Sequence, residues 1–171
     1  PFGEYFPVPP AVREWMKMQN LPHSDLAAGE DVQPLLTAAN GIQFGVAICN
    51  EDAYSAEQLY ALPAAGILIN VSNDAWFGDS IAPHQHLEIA RMRSLEFGRP
   101  AVRAANTGIS AFIAADGTLL QAGKQFEPEL MTMDIQPRRG ATPYVNYGNW
   151  PVLGLCFAIL GFFWIRNRAS L

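Results

Sequence analysis

From Trp150 to Ile165 the chain runs sixteen residues without a charged side chain, and Arg166 and Arg168 then end the run. Wound as an α-helix at about 1.5 Å per residue, this stretch is about 24 Å long, a little short of a ~30 Å hydrocarbon core. Extending back over Tyr147, Gly148 and Asn149 makes nineteen residues. Trp150 and Trp164 then fall near the two interfaces that amphipathic indoles favour. Pro151 suits a first helical turn, where a missing N–H costs nothing. A buried C-terminal helix is the alternative, but the abrupt arginine boundary favours a membrane-spanning one. Gly154, Ala158 and Gly161 share a helix face, and in lipid such a face lets another helix approach closely. Further membrane helices upstream are therefore expected. Arg166 and Arg168 favour a cytoplasmic C-terminus, and Arg138 and Arg139 count against it at greater distance from the run.

The rest of the chain has the opposite electrical character. Residues 1–149 carry 9 Lys+Arg against 16 Asp+Glu, whereas residues 150–171 carry two Arg and no acid. An acidic body of this kind excludes a basic nucleic-acid binder. With 50% hydrophobic residues, disorder is excluded as well. The sequence opens at Pro1 in mid-motif, and we expect it to be the C-terminal part of something longer.

Within the body, residues 41–48 and 66–71 read as buried strands flanking a short helix over 55–62, a unit that favours parallel pairing. Pro83 opens a helix reaching about Gly98, on which Glu88/Arg91, Arg93/Glu96 and Glu96/Arg99 are spaced for ion pairs. Strands follow at 101–105 and 109–114, separated by an Asn106-Thr107-Gly108 turn. Asp116-Gly117 then signals a hairpin into 118–121. A last strand is expected around 130–135, ahead of a Pro/Gly-containing linker. Residues 1–40 are broken by prolines, with one short helix expected at 11–18. The reading is α/β.

The body holds a single cysteine, Cys49, at the end of a strand and ahead of Asn50 and Glu51. A cysteine there is either a small buried hydrophobe or a nucleophile facing a ligand crevice. A thiol attacks as its thiolate, so a nucleophile would need a base or cation nearby. His84 and His86, two apart, point different ways on a helix and make a poor metal pair. His23 lies in the irregular segment. No spacing suggests zinc, and neither a metal nor another cofactor is expected. Glu51 and Glu4 are better placed carboxylates. Asn73-Asp74-Ala75-Trp76-Phe77-Gly78 puts two large aromatics in a polar loop after a strand. Either Trp76 and Phe77 face a substrate or membrane, or they tuck into the core.

Together these residues resemble the carbon–nitrogen hydrolase (nitrilase) superfamily, and within it the bacterial apolipoprotein N-acyltransferases. The resemblance rests on Pro1-Phe2-Gly3-Glu4-Tyr5, Ala47-Ile48-Cys49-Asn50-Glu51, Ser72-Asn73-Asp74-Ala75-Trp76-Phe77-Gly78, Ala90-Arg91-Met92-Arg93-Ser94-Leu95-Glu96, Asn106-Thr107-Gly108-Ile109-Ser110 and Thr142-Pro143-Tyr144 ahead of Gly148-Asn149-Trp150-Pro151. It implies a partial nitrilase-like αββα sandwich over residues 1–136, a linker at 137–149, one C-terminal transmembrane helix at 150–165 and a basic cytoplasmic tail at 166–171. It also implies residence in the bacterial inner membrane, multi-pass in the full-length protein, with the catalytic domain facing the periplasm.

The activity so implied is acyl transfer from a phospholipid donor, through a thioester on Cys49, to the α-amino group of a diacylated lipoprotein's N-terminal cysteine. Glu4 and Glu51 match active-site glutamates, the Asn50 N–H would hold the oxyanion, and Trp76 and Phe77 would meet substrate. The family's triad also takes a Lys just before the Pro-Phe-Gly-Glu motif and a Glu further upstream. Neither is among these residues, so the chain alone is expected to be inactive. Asn50 stands where the family often has an aromatic. Two alternatives remain: a membrane-tethered amidase acting on a small C–N substrate, and a catalytically dead, membrane-anchored binding domain.

Overall fold

A computed structural model describes residues 8–20, 29–30 and 32–168. Its centre is one sheet of six strands in sequence order: β1 (Leu36–Thr37), β2 (Gln43–Ile48), β3 (Ile67–Asn73), β4 (Ala101–Asn106), β5 (Ala111–Ile113) and β6 (Leu119–Ala122). The three longest strands, β2, β3 and β4, run parallel, and the outer pairings are antiparallel. The helices are α1 (Pro10–Met18), α2 (Ser55–Gln58), α3 (Ala82–Phe97), α4 (Pro143–Tyr147) and α5 (Trp150–Arg168). The α/β expectation holds, with α2 and a following 3-10 turn joining β2 to β3, and α3 joining β3 to β4.

The period of two along a strand sorts the sheet into faces. Leu68, Ala101, Ala111 and Ile113 point to the side covered by α3, where they meet Leu87, Ala90 and Phe97 in the main core. Each large side chain buried this way contributes about 1.5–3 kcal/mol. Gly45 of β2 lies so close to the segment after α2 that an added Cβ would sit 3.2 Å from Ala61 Cβ. On the other face Phe44, Val46 and Ile69 are half-covered, while Ile48 and Val71 are 49% and 41% exposed. One helix layer on one sheet forms the α-β half of an αββα arrangement.

α3 ends where its sequence says it should, on Gly98 in the left-handed conformation at φ 62°. Arg91–Glu88 (2.7 Å) and Arg93–Glu96 (3.0 Å) form as ion pairs along it. The expected Glu96/Arg99 pair does not form. Arg99 lies past the helix end and is buried, where its guanidinium donates to the carbonyls of Pro63 (3.0 Å), Ala65 (2.6 Å) and Gly140 (2.6 Å). Glu96 is already engaged by Arg93 at 3.0 Å, and the buried guanidinium of Arg99 takes the carbonyls around it instead.

The strand expected at 130–135 is also absent. Those residues pair with no neighbour among the described residues, and Leu130 is 91% exposed. An apolar, β-prone run becomes a strand only where another strand completes its ladder. Further on, the Arg138 N–H donates to Gly66 O, Thr142 Oγ1 to Glu96 O, and Tyr144 packs on Phe97 at 6.0 Å between centroids. Residues 138–144 are thereby fastened to the body just ahead of α5.

Three residues longer than expected, α5 spans Trp150–Arg168 with none of its residues buried. Its most apolar window has a mean hydropathy of 1.4. Among the described residues it is the one helix long and apolar enough to cross a membrane. Arg168 stacks on Trp164 at 4.1 Å, a cation–π contact in the last turn of the helix.

Candidate active site

β2 delivers Cys49 to the carboxyl end of the parallel strands, the end where open α/β sheets bind ligands. Ile48 is extended, at φ −102°, and Cys49 turns sharply to φ 50°. A 3-10 turn over Cys49–Ala53 follows at once. A left-handed residue other than Gly, Asn or Asp is uncommon and must be held in place by its surroundings. Three holding groups stand among the described residues. Glu51 Oε2 accepts the Ile48 N–H at 2.7 Å, closing the elbow across its mouth. The Cys49 carbonyl accepts Asn70 Nδ2 at 3.1 Å and lies 3.2 Å from His86 Nε2. Asn50, the second residue of the turn, sits where helix geometry leaves N–H groups without an intrahelical acceptor.

Behind the elbow lies a fully interior polar cluster. Asp52, Asn70, Ser72, Asp74, His86 and Arg103 are all buried. His86 reaches Asp74 Oδ1 through Nδ1 (3.1 Å) and Asp52 Oδ1 through Nε2 (3.0 Å). Arg103 donates to Asp74 Oδ2 at 2.8 Å and to Asn70 Oδ1 at 2.6 Å, and stands 3.5 Å from Asp52 Oδ2. Ser72 Oγ completes the shell of Asp74 at 2.7 Å. Two carboxylates thus face two cations, a balance that an interior of low polarity demands.

The titration behaviour follows. Burial disfavours the His86 cation, but hydrogen bonds to Asp52 and Asp74 outweigh it and raise the pKa to about 9. Burial would likewise raise Asp74, yet its bonds with His86 and Ser72 and the charge of Arg103 lower it to about 2. Every partner of the His86 ring is an acceptor, so both ring nitrogens must carry protons. That protonation also denies His86 to a metal, and among the described residues no group is arranged to hold one.

Two turns close the cluster from the strand ends. Gly108, after β4, approaches Asp74 so closely that a Cβ there would lie 2.8 Å from Asp74 Cβ. Asn73 receives the Ala75 N–H at 3.2 Å and Asn106 Nδ2 at 3.3 Å. The 3-10 turn so started carries Trp76 and Phe77 outward, 58% and 43% exposed, rather than into the core. On the opposite face of β2 a cavity of about 180 Å³ is lined by Phe44, Val46, Ile48, Glu51, Glu57 and Tyr60, among others. Burial, with Glu51 nearby, raises the Tyr60 pKa.

The structure therefore brings Cys49, Asn50 and Glu51 together in one elbow and sets Trp76 and Phe77 at the end of the neighbouring strand. Glu4 lies outside the described residues, as does His23. Cys156 is exposed on α5 and forms no disulfide with Cys49. Spacing alone dismissed His86, and it passed over Asp52, Asn70 and Arg103. A signal did exist. Asn70 and Arg103 are polar residues at inward positions of apolar strands, directly opposite each other in register. His86 shares the buried face of α3 with Pro83, Leu87 and Ala90.

The carbon-nitrogen hydrolase family pattern matches residues 4–144. An apolipoprotein N-acyltransferase from Methylococcus capsulatus is 46% identical over 99% of this chain and 34% of its own length. That from Haemophilus influenzae is 45% identical over 94% of this chain and 31% of its own. The chain thus spans about one third of the length of these curated relatives. Among solved structures, a carbon-nitrogen hydrolase from Helicobacter pylori G27 superposes with a TM-score of 0.54 at 17% identity, covering 63% of this chain and 45% of that one. An amidase from Nesterenkonia sp. AN1, solved with acrylamide added at its active-site cysteine, gives 0.53 at 18% identity over 66% of this chain and 46% of its own. By family pattern and by fold, the chain belongs to the carbon-nitrogen hydrolase family.

Proposed function

We propose that this chain supplies the nucleophile of an apolipoprotein N-acyltransferase, with Cys49 carrying the acyl group. The observation that carries the reading is the elbow at Cys49, a left-handed thiol-bearing residue at the strand end, held from both sides. The likeness to the named acyltransferases supports the choice of reaction, because it runs over 99% of the chain and so takes in α5. A soluble amide substrate would call for neither a membrane-length helix nor the exposed Trp76 and Phe77.

In this reading the Cys49 thiolate attacks an ester carbonyl of a phospholipid. An S–C bond forms and the lysophospholipid leaves with the ester oxygen and a proton. The α-amino nitrogen of a diacylglyceryl-cysteine then attacks the thioester, forming the amide and returning the thiol. The Asn50 N–H stabilises the oxyanion in both steps. Glu51 works through the elbow, since one of its oxygens holds the Ile48 N–H. Glu4 remains a candidate active-site carboxylate by resemblance. The Lys and the general-base Glu of the family's triad lie outside this sequence, so proton transfer belongs to the full-length protein. Trp76 and Phe77 present apolar surface to the acyl chain. The enzyme works in the bacterial inner membrane as a multi-pass protein, with its catalytic domain on the periplasmic side.

The test is acyl-thioester trapping in the full-length protein supplied with phospholipid alone. A hydroxylamine-labile acyl adduct is expected in Cys156→Ala and not in Cys49→Ala. An adduct that survives Cys49→Ala overturns the assignment.

A further inference from the structure

The cluster behind the elbow does more than fill the interior, because it ends on the carbonyl of the residue whose backbone is strained. That carbonyl has two side-chain donors in reach, Asn70 Nδ2 at 3.1 Å and His86 Nε2 at 3.2 Å. Asn70 is itself fixed by Arg103 at 2.6 Å, and His86 is fixed by Asp74 at 3.1 Å. We propose that His86 is a positioning residue for Cys49: its doubly protonated ring holds the Cys49 carbonyl and so sets the left-handed turn that presents the thiol and the Asn50 N–H. The proposal rests on the reading of Cys49 as the nucleophile.

Geometry demands the charged form. The ring is met at Nδ1 by Asp74, from the turn after β3, and at Nε2 by Asp52 and the Cys49 carbonyl, from the turn after β2. Arg103 of β4 and Ser72 of β3 contact Asp74, and Asn70 of β3 contacts the same carbonyl. A neutral imidazole has one N–H and one lone pair. Whichever nitrogen loses its proton, a lone pair then faces a carboxylate or carbonyl oxygen at about hydrogen-bond distance. The ring must move, and the Cys49 carbonyl loses one of its two anchors. Loss of the His86 proton, near pH 9, therefore loosens the elbow. A histidine that merely filled space would stabilise the fold without this link to the thiol.

The experiment measures alkylation of Cys49 by iodoacetamide in the full-length protein between pH 6.5 and 10.5, read by mass spectrometry of the peptide that contains it. Circular dichroism at each pH reports the folded fraction. The wild-type rate should climb with the thiolate and then fall at least three-fold above about pH 9 while the fold is retained. His86→Gln, which offers a donor to one side only, should alkylate about ten-fold more slowly at pH 8 and show no falling limb. Asn70→Ala should slow the reaction but keep the falling limb. A His86→Gln protein with the wild-type rate and profile overturns the proposal. Should that variant fail to fold, the wild-type profile decides alone, and a rate that keeps rising through pH 10 with native dichroism overturns it. Failure of thioester trapping with this profile intact would instead remove the acyltransferase reading and leave the positioning of a reactive thiol standing.

Discussion

Replacing Gly108 with alanine tests the cluster without replacing any of its members. Gly108 does not adopt a positive φ, so alanine meets no left-handed strain there. Its Cβ would overlap Asp74 Oδ2 and lie 2.8 Å from Asp74 Cβ and Cγ. Neither side gives way easily. Asp74 is held by Ser72 at 2.7 Å, Arg103 at 2.8 Å and His86 at 3.1 Å. The turn is pinned by the Ala105 N–H on Ser110 Oγ (3.1 Å) and the Gly123 N–H on Ser110 O (2.9 Å). Relieving the clash needs a shift large enough to break at least one of the buried ion pairs of Asp74. Leaving one interior charge unmatched costs about 3–5 kcal/mol, against at most about 1 kcal/mol gained from stiffening the unfolded chain. A net loss of about 3 kcal/mol lowers the melting temperature by about 6–12 °C in a domain of this size. The control is Gly123→Ala, whose Cβ would meet only the far ends of the Glu129 and Met131 side chains, the nearest at 3.0 Å. Thermal melting in detergent reads both variants. If Gly108→Ala melts within 2 °C of the wild type, Asp74 is not locked as described.

Arg103→Met should cost about 3–5 kcal/mol, because it leaves the two carboxylates Asp74 and Asp52 with one cation, His86, between them; chemical denaturation measures it, and a loss under 1 kcal/mol would contradict the charge balance. Stability should also depend on pH in two windows. His86 has a folded pKa raised from 6.5 to about 9, so its contribution is complete below pH 6.5 and is lost as pH rises through 9; it amounts to about 3 kcal/mol. Asp74 has a folded pKa lowered from 3.8 to about 2, so its contribution is present above pH 3.8 and vanishes as pH falls through 2. Melting scans from pH 2 to 10 should find this cluster most stabilising between about pH 4 and 6.5, and His86→Gln should flatten the alkaline side. Trp76→Ala combined with Phe77→Ala should leave stability within about 0.5 kcal/mol, both side chains being exposed, yet slow acyl transfer at least ten-fold in a phospholipid assay; unchanged turnover would detach these rings from the substrate.

What could be read in advance divides along physical lines. β2, β3, α3 and the Asp116-Gly117 hairpin were legible because local pattern and cap residues agreed with the tertiary outcome. The run at 130–135 has the composition of a strand, but strandhood depends on a neighbour that composition cannot name. Glu96 and Arg99 have ion-pair spacing, yet α3 ends at Phe97, so helical spacing no longer applies at Arg99. For the site, Cys49, Glu51 and the Trp76-Phe77 loop declared themselves by position along the chain. His86, Asp52 and Arg103 come together from α3, the turn after β2, and β4, up to 51 residues apart. Their association is a product of the parallel register, which sets Asn70 against Arg103, and no local motif encodes it. Burial of polar residues in otherwise apolar strands was the available clue.

The sheet face that the described residues only half cover has a practical consequence for anyone producing these 171 residues by themselves. Ile48, Val71 and Leu36, at 49%, 41% and 61% exposure, form an adhesive surface on an otherwise acidic particle. Contiguous apolar surface of this kind drives self-association, and the body's net negative charge opposes it only at low ionic strength. Solubility of the isolated chain should therefore fall as salt is added, the reverse of what a protein held together by surface ion pairs would do. Buffers chosen to calm α5 with detergent will need to be dilute in salt to keep the sheet from finding another copy of itself.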